Sequence, residues 1–73
     1  MTPATVALSS TSLAKAIYDD RLSRLRIHFR DGTIYAYTGV PQALFQALLA
    51  APSKGLFFNR HIRDHFPHGR VDG

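Results

Sequence analysis

The chain has 73 residues, enough for one domain, and carries nine Lys and Arg against five acidic residues, a net charge of +4. It contains no cysteine, which excludes disulfides, thiol catalysis and cysteine-bound iron–sulfur clusters. No apolar run approaches the roughly 20 residues that a transmembrane helix needs. We therefore expect a cytoplasmic protein with no membrane partner. The excess of basic residues favours a polyanion such as nucleic acid as its partner.

The first third of the chain predicts an arm and one strand. Residues 1–10 are small and polar, as is typical of a flexible N-terminal arm. The first predicted strand runs from Leu13 to Asp19, with Leu13, Ile17 and Tyr18 as its packing residues. The turn formers of Asp19–Ser23 connect it to the next strand.

The segment from Leu25 to Tyr37 predicts two further strands joined by the turn pair Asp31-Gly32. Alternation of side chains gives the first of them an apolar face and a basic face. The apolar set is Leu25, Ile27 and Phe29, and the basic set is Arg24, Arg26, His28 and Arg30. If Asp31 and Gly32 are the only loop residues, Tyr35 lies opposite His28. Tyr37 then lies opposite Arg26, and both tyrosines share the basic face.

Two helices are predicted after the strands. Pro41 is suited to a helix start, and the first helix spans Gln42–Ala51 with a broad apolar stripe. The second spans Leu56–Phe66, with an apolar residue every fourth position. The predicted fold is α+β: a three-stranded antiparallel meander followed by two helices packed on one sheet face. It forms a single domain over residues 11–66, and residues 67–73 form a flexible C-terminal tail.

An ordered set of short motifs along this pattern resembles the KTSC domain family over roughly residues 9–66. The motifs are Tyr18-Asp19, Leu25-x-Ile27-x-Phe29, Gly32, Tyr35-x-Tyr37, Val40-Pro41, Ala51-x-Ser53-x-Gly55-x-Phe57-Phe58-Asn59 and Ile62-Arg63. The chain departs from the family pattern at Ile17, where Gly is frequent, and at Phe66, where Tyr is frequent. The family is named from the C-terminus of some lysyl-tRNA synthetases, and the resemblance implies a small domain for which RNA binding has been suggested.

The basic row and the two tyrosines predict a surface for RNA or single-stranded nucleic acid. Aromatic rings stack on bases, and arginines bind phosphates. Charge near the second helix adds to this surface. The predicted nucleic-acid-binding residues are Arg24, Arg26, His28, Arg30, Tyr35, Tyr37, Lys54 and Arg63. The alternative is that Tyr35 and Tyr37 only stabilise the sheet, because cross-strand pairs with aromatic residues contribute to sheet stability.

Two further features have competing interpretations. The first is Ser53-x-Gly55, before the second helix, which can present backbone N–H groups to an anion. Alternatively, Ser53 is the N-cap of that helix and Gly55 allows close packing of the helices, and we favour this interpretation. His61 and His65 have the spacing of zinc ligands on a helix, but without cysteine we favour packing and predict no metal site.

The chain shows no constellation of catalytic residues and no cofactor motif. We therefore predict a non-catalytic binding module with no cofactor. The alternative is a protein-interaction or self-association module, for example a homodimer, that uses the unpaired edges of the sheet.

Overall fold

The computed structural model describes residues 4–71, which form five strands and two helices. The elements are β1 (Ala4–Ala7), β2 (Leu13–Asp19), β3 (Arg24–Phe29), β4 (Ile34–Thr38), α1 (Gln42–Ala50), α2 (Lys54–His61) and β5 (His68–Arg70). The strands form one antiparallel sheet in the order β1-β2-β3-β4-β5. The α+β class with two helices is therefore confirmed, whereas the predicted count of three strands is wrong.

The two additional strands lie at the edges of the sheet. β1 pairs with β2 and falls within the predicted N-terminal arm, and β5 pairs with β4 and falls within the predicted tail. Both are short and lack the alternation of apolar and polar residues that predicts a strand. The flexibility expected of residues 1–10 and 67–73 stays a prediction, and residues 1–3 and 72–73 lie outside the described part of the chain.

The turn between β3 and β4 sets the register between these two strands. The N–H of Gly32 donates to the carbonyl of Phe29 at 3.0 Å, and the N–H of Phe29 donates to the carbonyl of Thr33 at 2.8 Å. The loop therefore has three residues, Arg30–Gly32, and closes through Gly32 at φ +93°. A turn followed by a left-handed glycine is a common three-residue hairpin loop.

This loop shifts the predicted register by one residue. Tyr35 lies opposite Ile27, and Tyr37 lies opposite Leu25. The predicted pairs of Tyr35 with His28 and of Tyr37 with Arg26 are therefore wrong. Because side chains alternate along a strand, a shift of one residue moves both tyrosines to the other face of the sheet.

The two helices cover the face that carries Leu25 and Ile27. Phe45 of α1 stacks on Tyr18 at a centroid distance of 4.8 Å, and Phe58 of α2 packs edge-on against Tyr37 at 5.4 Å. The buried core is Leu8, Leu13, Ala16, Tyr18, Leu25, Ile27, Tyr37, Val40, Phe45, Leu48, Ala51, Phe58 and Ile62. The predicted packing of both helices on one apolar face is thus observed, with Tyr35 and Tyr37 of β4 on that face instead of the predicted Ile34 and Ala36.

The second helix is shorter than predicted. It spans Lys54–His61 rather than Leu56–Phe66, and Ile62 caps it with φ −120° and ψ −48°. The N–H of Arg63 donates to the carbonyl of Phe58 at 2.9 Å, which closes a wider turn. The chain then returns to the sheet, where the carbonyl of Pro67 accepts from the N–H of Thr38 at 3.0 Å. Neither helix within residues 4–71 has the length and apolar character needed to cross a bilayer.

Candidate functional site

The sheet face opposite the helices carries three of the six basic residues predicted for the site. We call it the open face, and its basic residues on β2 and β3 are Lys15, Arg24, Arg26 and His28. Lys15 lies directly opposite His28. Asp19, opposite Arg24, is the acidic residue on these two strands. These two strands thus give the open face three permanently charged basic side chains and one carboxylate, so its net charge is positive.

His28 is placed among these cations with an unsatisfied ring nitrogen. Its Nε2 atom is buried and has no hydrogen-bond partner among the described residues. Burial lowers the pKa of His28 below its usual value, and the neighbouring charges of Lys15 and Arg26 lower it further. The ring therefore carries little charge at neutral pH.

Arg30 does not join the row that the sequence pattern predicts. It lies in the loop between β3 and β4, and its Nε donates to the carbonyl of Ser10 at 3.0 Å. Its Nη2 donates to the carbonyl of Leu8 at 3.1 Å. The guanidinium group thus holds the β1–β2 connection against the sheet, which is a structural role.

The two tyrosines lie on the covered face, at a cleft between the sheet and α2. This cleft, here called the α2 cleft, has a volume of about 550 Å³. Its lining residues are Ser12, Phe29, Asp31, Thr33, Tyr35, Tyr37, Phe58, Asn59, Arg63, Asp64 and His68. Tyr37 forms the floor and is only 2% exposed, whereas Tyr35 is half-buried. The predicted surface that combines arginines and tyrosines on one sheet face is therefore wrong.

The rings of the α2 cleft contact one another from four elements, β3, β4, α2 and β5. His68 of β5 lies 5.0 Å from Tyr37 and 6.1 Å from Tyr35, measured between ring centroids. Burial raises the pKa of Tyr37, and the charge of Arg63 opposes that shift in part. Tyr37 is consequently a neutral phenol at physiological pH.

The polar rim of the α2 cleft comes from α2 and the turn after it. Nη1 of Arg63 donates to Oδ1 of Asn59 at 3.5 Å, a long and weak hydrogen bond between exposed side chains. Asp64 follows Arg63 and brings a carboxylate to the same rim. Of the predicted site residues, Arg63 joins the tyrosines in this cleft.

Lys54 lies apart from both surfaces. Its Nζ donates to the carbonyl of Ala51 at 2.9 Å, at the connection between the helices. Ser53 accepts from the N–H of Leu56 at 3.4 Å, so the predicted N-cap is confirmed. Gly55 faces the hydroxyls of Ser10 and Ser12 rather than the other helix.

The two histidines considered as zinc ligands do not share a helix. His61 is the last residue of α2 and packs on Phe57 at 4.6 Å between ring centroids. His65 lies beyond the helix end, where the spacing of four residues no longer aligns side chains. Within residues 4–71, no three His, Cys, Asp or Glu side chains come together as metal ligands.

Four residues of these surfaces were not among the predicted site residues: Lys15, Asn59, Asp64 and His68. The alternation of side chains along β2 predicts the position of Lys15, because it puts Lys15 on the sheet face away from the buried Ala16 and Tyr18. Asn59 stands within the motif of the family resemblance. No sequence pattern near His68 predicts its place in the cleft, because that place depends on the pairing of β5 with β4.

Comparison with known proteins places most of the chain in one family. The family model described as the KTSC domain matches residues 9–66. An uncharacterised protein of Stutzerimonas stutzeri is 40% identical over 68 residues, which cover 92% of this chain and 96% of that protein. A lysine–tRNA ligase of Nostoc punctiforme is 39% identical over 49 residues, which cover 67% of this chain but 9% of the ligase.

A solved structure agrees with the fold. The crystal structure of a KTSC domain protein from Yersinia pestis superposes with a TM-score of 0.92 at 31% sequence identity, covering 97% of this chain and 100% of that one. This structural likeness and the family model both span most of the chain. The chain therefore belongs to the KTSC domain family.

Proposed function

We propose that this protein is a small non-catalytic module that binds single-stranded nucleic acid, RNA above all, through the open face of its sheet. The observation that carries the proposal is the cluster of Lys15, Arg24, Arg26 and His28 on β2 and β3. The partial likeness to a lysine–tRNA ligase is compatible with an RNA ligand, but the proposal depends on the charges of this face.

The spacing of the basic residues suits a chain of phosphates. Alternate residues of a strand lie about 7 Å apart on one face, so Arg24, Arg26 and His28 form a straight row along β3. That interval is similar to the distance between successive phosphates of an extended single strand. A flat sheet face also meets a flexible strand more readily than a duplex groove.

The electrostatics of His28 support the same ligand. The negative charge of a phosphate bound beside Arg26 would favour the protonated form of His28, although its Nε2 atom is itself enclosed by protein. Binding of an anion to the open face should therefore be coupled to uptake of a proton by His28. Affinity is then expected to rise as the pH falls toward 6.

Salt dependence of binding to a short oligouridylate tests the proposal. Three phosphate contacts predict a slope of log K against log salt of about −2 for a single strand. The double variant Arg24→Gln/Arg26→Gln removes two of them and should reduce the slope to about −0.7. Arg60→Gln is the matched control, since Arg60 is exposed on α2, away from the open face. Absence of binding at low salt, or equal slopes for both variants, would overturn the proposal.

The edge of the sheet favours a second candidate function, self-association or capture of a partner strand. β1 is an edge strand whose four residues, Ala4–Ala7, include neither a charge nor a proline. Edge strands of monomeric proteins usually carry such protection against pairing. Sedimentation at several concentrations tests this function, with Thr5→Lys as the variant that blocks the edge. A monomer at every concentration would exclude the homodimer.

A further inference from the structure

We infer that the α2 cleft receives one unstacked base of the single strand whose phosphates lie on the open face. The inference rests on the proposed function and adds a second contact surface to it, on the other side of the sheet. The volume of about 550 Å³ lies within the range of roughly 300–1,000 Å³ that is usual for small-molecule sites. A single nucleobase is smaller than this volume.

The arrangement of rings leaves a stacking surface on Tyr35. Phe29 and His68 meet Tyr35 at interplanar angles of 88° and 70°, and Tyr37 meets it at 44°. None of these rings lies parallel to Tyr35, so no described ring is stacked flat on it. Tyr35 is half-buried and lines the cleft, so a planar ligand can stack there.

The polar groups of the rim match the edge of a base. Asn59 supplies an amide, Arg63 a guanidinium group and Asp64 a carboxylate, all on exposed side chains. Together they offer both donors and acceptors, as the edge of a nucleobase requires. A simple anion fits less well, because Asp31 and Asp64 both line the cleft and repel it.

The two surfaces are connected across the short edge strand β5. Gly69 pairs with Ala36 and has open space where a Cβ would lie, so no side chain of residues 4–71 blocks the edge at that point. Arg70 is exposed beside it, opposite Tyr35, and can hold the phosphate at the crossing. A nucleic-acid strand that leaves the basic row on β3 reaches the cleft after crossing β4 and β5, since neighbouring strands lie about 4.8 Å apart.

Comparison of two oligonucleotides of equal length and charge tests the inference. One is an oligoadenylate, and the other carries abasic sites throughout. Stacking of one base predicts that the wild-type protein binds the oligoadenylate about five- to a hundredfold more tightly. Tyr35→Leu and the exposed Asn59→Ala should each reduce this ratio towards one without changing the affinity for the abasic chain. Tyr35→Phe, which keeps a flat ring, should retain the ratio.

The outcomes separate this inference from the proposed function. Equal affinity of the wild-type protein for both oligonucleotides overturns the base site and leaves the phosphate surface intact. A preference for bases that survives in both Tyr35→Leu and Asn59→Ala also overturns it, because the base then binds elsewhere. Failure of both oligonucleotides to bind at low salt overturns the proposed function together with the inference.

Discussion

The hydroxyl of Tyr18 donates a buried hydrogen bond of 2.7 Å to the carbonyl oxygen of Val40. Tyr18 is the penultimate residue of β2, and Val40 immediately precedes Pro41, the N-cap of α1. The N–H of Val40 in turn donates to the carbonyl of Ser23 at 2.9 Å. These bonds fix the start of α1 above the sheet, so the direction of the helix over the covered face depends on them.

Loss of this hydroxyl should destabilise the protein. In Tyr18→Phe the buried carbonyl of Val40 loses its partner, and the free energy of unfolding should fall by about 1–3 kcal/mol. The ring remains available to stack on Phe45, so the overall fold should persist. Urea denaturation measures the change. Tyr35→Phe is the control, because the α2 cleft leaves water available to that residue; equal losses in the two variants would contradict the account.

The sequence pattern places Tyr37 and Arg26 on one sheet face, whereas the observed register places them on opposite faces. The two residues should therefore differ in how much their substitution lowers the free energy of unfolding. Tyr37 is 2% exposed and packs on Phe58, so Tyr37→Ala should lower the free energy of unfolding by about 3–5 kcal/mol. Arg26 is exposed on the open face, and Arg26→Ala should change it by less than about 0.5 kcal/mol. Thermal denaturation distinguishes the two variants. A small loss of stability in Tyr37→Ala would contradict this register.

The three-residue loop predicts a particular sensitivity at Gly32. Its φ of +93° strains any residue with a Cβ, although the space around it is open. Gly32→Ala should therefore cost about 1–2 kcal/mol, and Gly32→Asn less, because Asn tolerates this backbone region. Chemical denaturation of both variants provides the comparison. A Gly32→Ala protein as stable as the wild type would argue against the loop.

The lowered pKa of His28 predicts a stability that depends on pH. Its usual value of 6.5 applies to the unfolded chain, and the folded value is lower because of burial and the charges of Lys15 and Arg26. The unfolded state therefore binds the proton more tightly, and stability falls as the pH drops from 6.5 through the folded pKa. Above pH 6.5 the full contribution is present.

Urea midpoints measured near neutral pH and in mild acid give this dependence. His28→Gln should flatten it, because the variant has no titrating group at that position. His65→Gln is the control, since His65 is exposed beyond the end of α2. A pH dependence identical in wild type and His28→Gln would show that another group is responsible.

Local sequence signals predict the elements whose ends are set by local chemistry. β2 has the predicted bounds of Leu13 and Asp19, and α1 begins at Gln42 after Pro41 as expected. Ser53 caps α2 through its own side chain. In each case an alternation, a proline or a capping hydroxyl within a few residues determines the structure.

Features set by distant contacts were not predicted. The pair Asp31-Gly32 is compatible with both a two-residue and a three-residue loop. The three-residue loop gives the register in which Tyr37 packs beneath Phe58, and this distant contact favours it. β5 has the sequence His-Gly-Arg and becomes a strand through its pairing with β4. The candidate site follows the same division: the basic row along β3 is predictable, whereas the α2 cleft depends on the register and on β5.

Chemical-shift mapping tests the central claim most directly. The ¹⁵N-labelled protein would be titrated with a short oligouridylate at low salt, and backbone and arginine side-chain resonances would be followed. The account predicts the largest changes on the open face, at Lys15, Arg24, Arg26 and His28, with α1 unaffected. Changes confined to the β1 edge or to α1, or no change at all, would contradict the claim that the open face binds single-stranded nucleic acid.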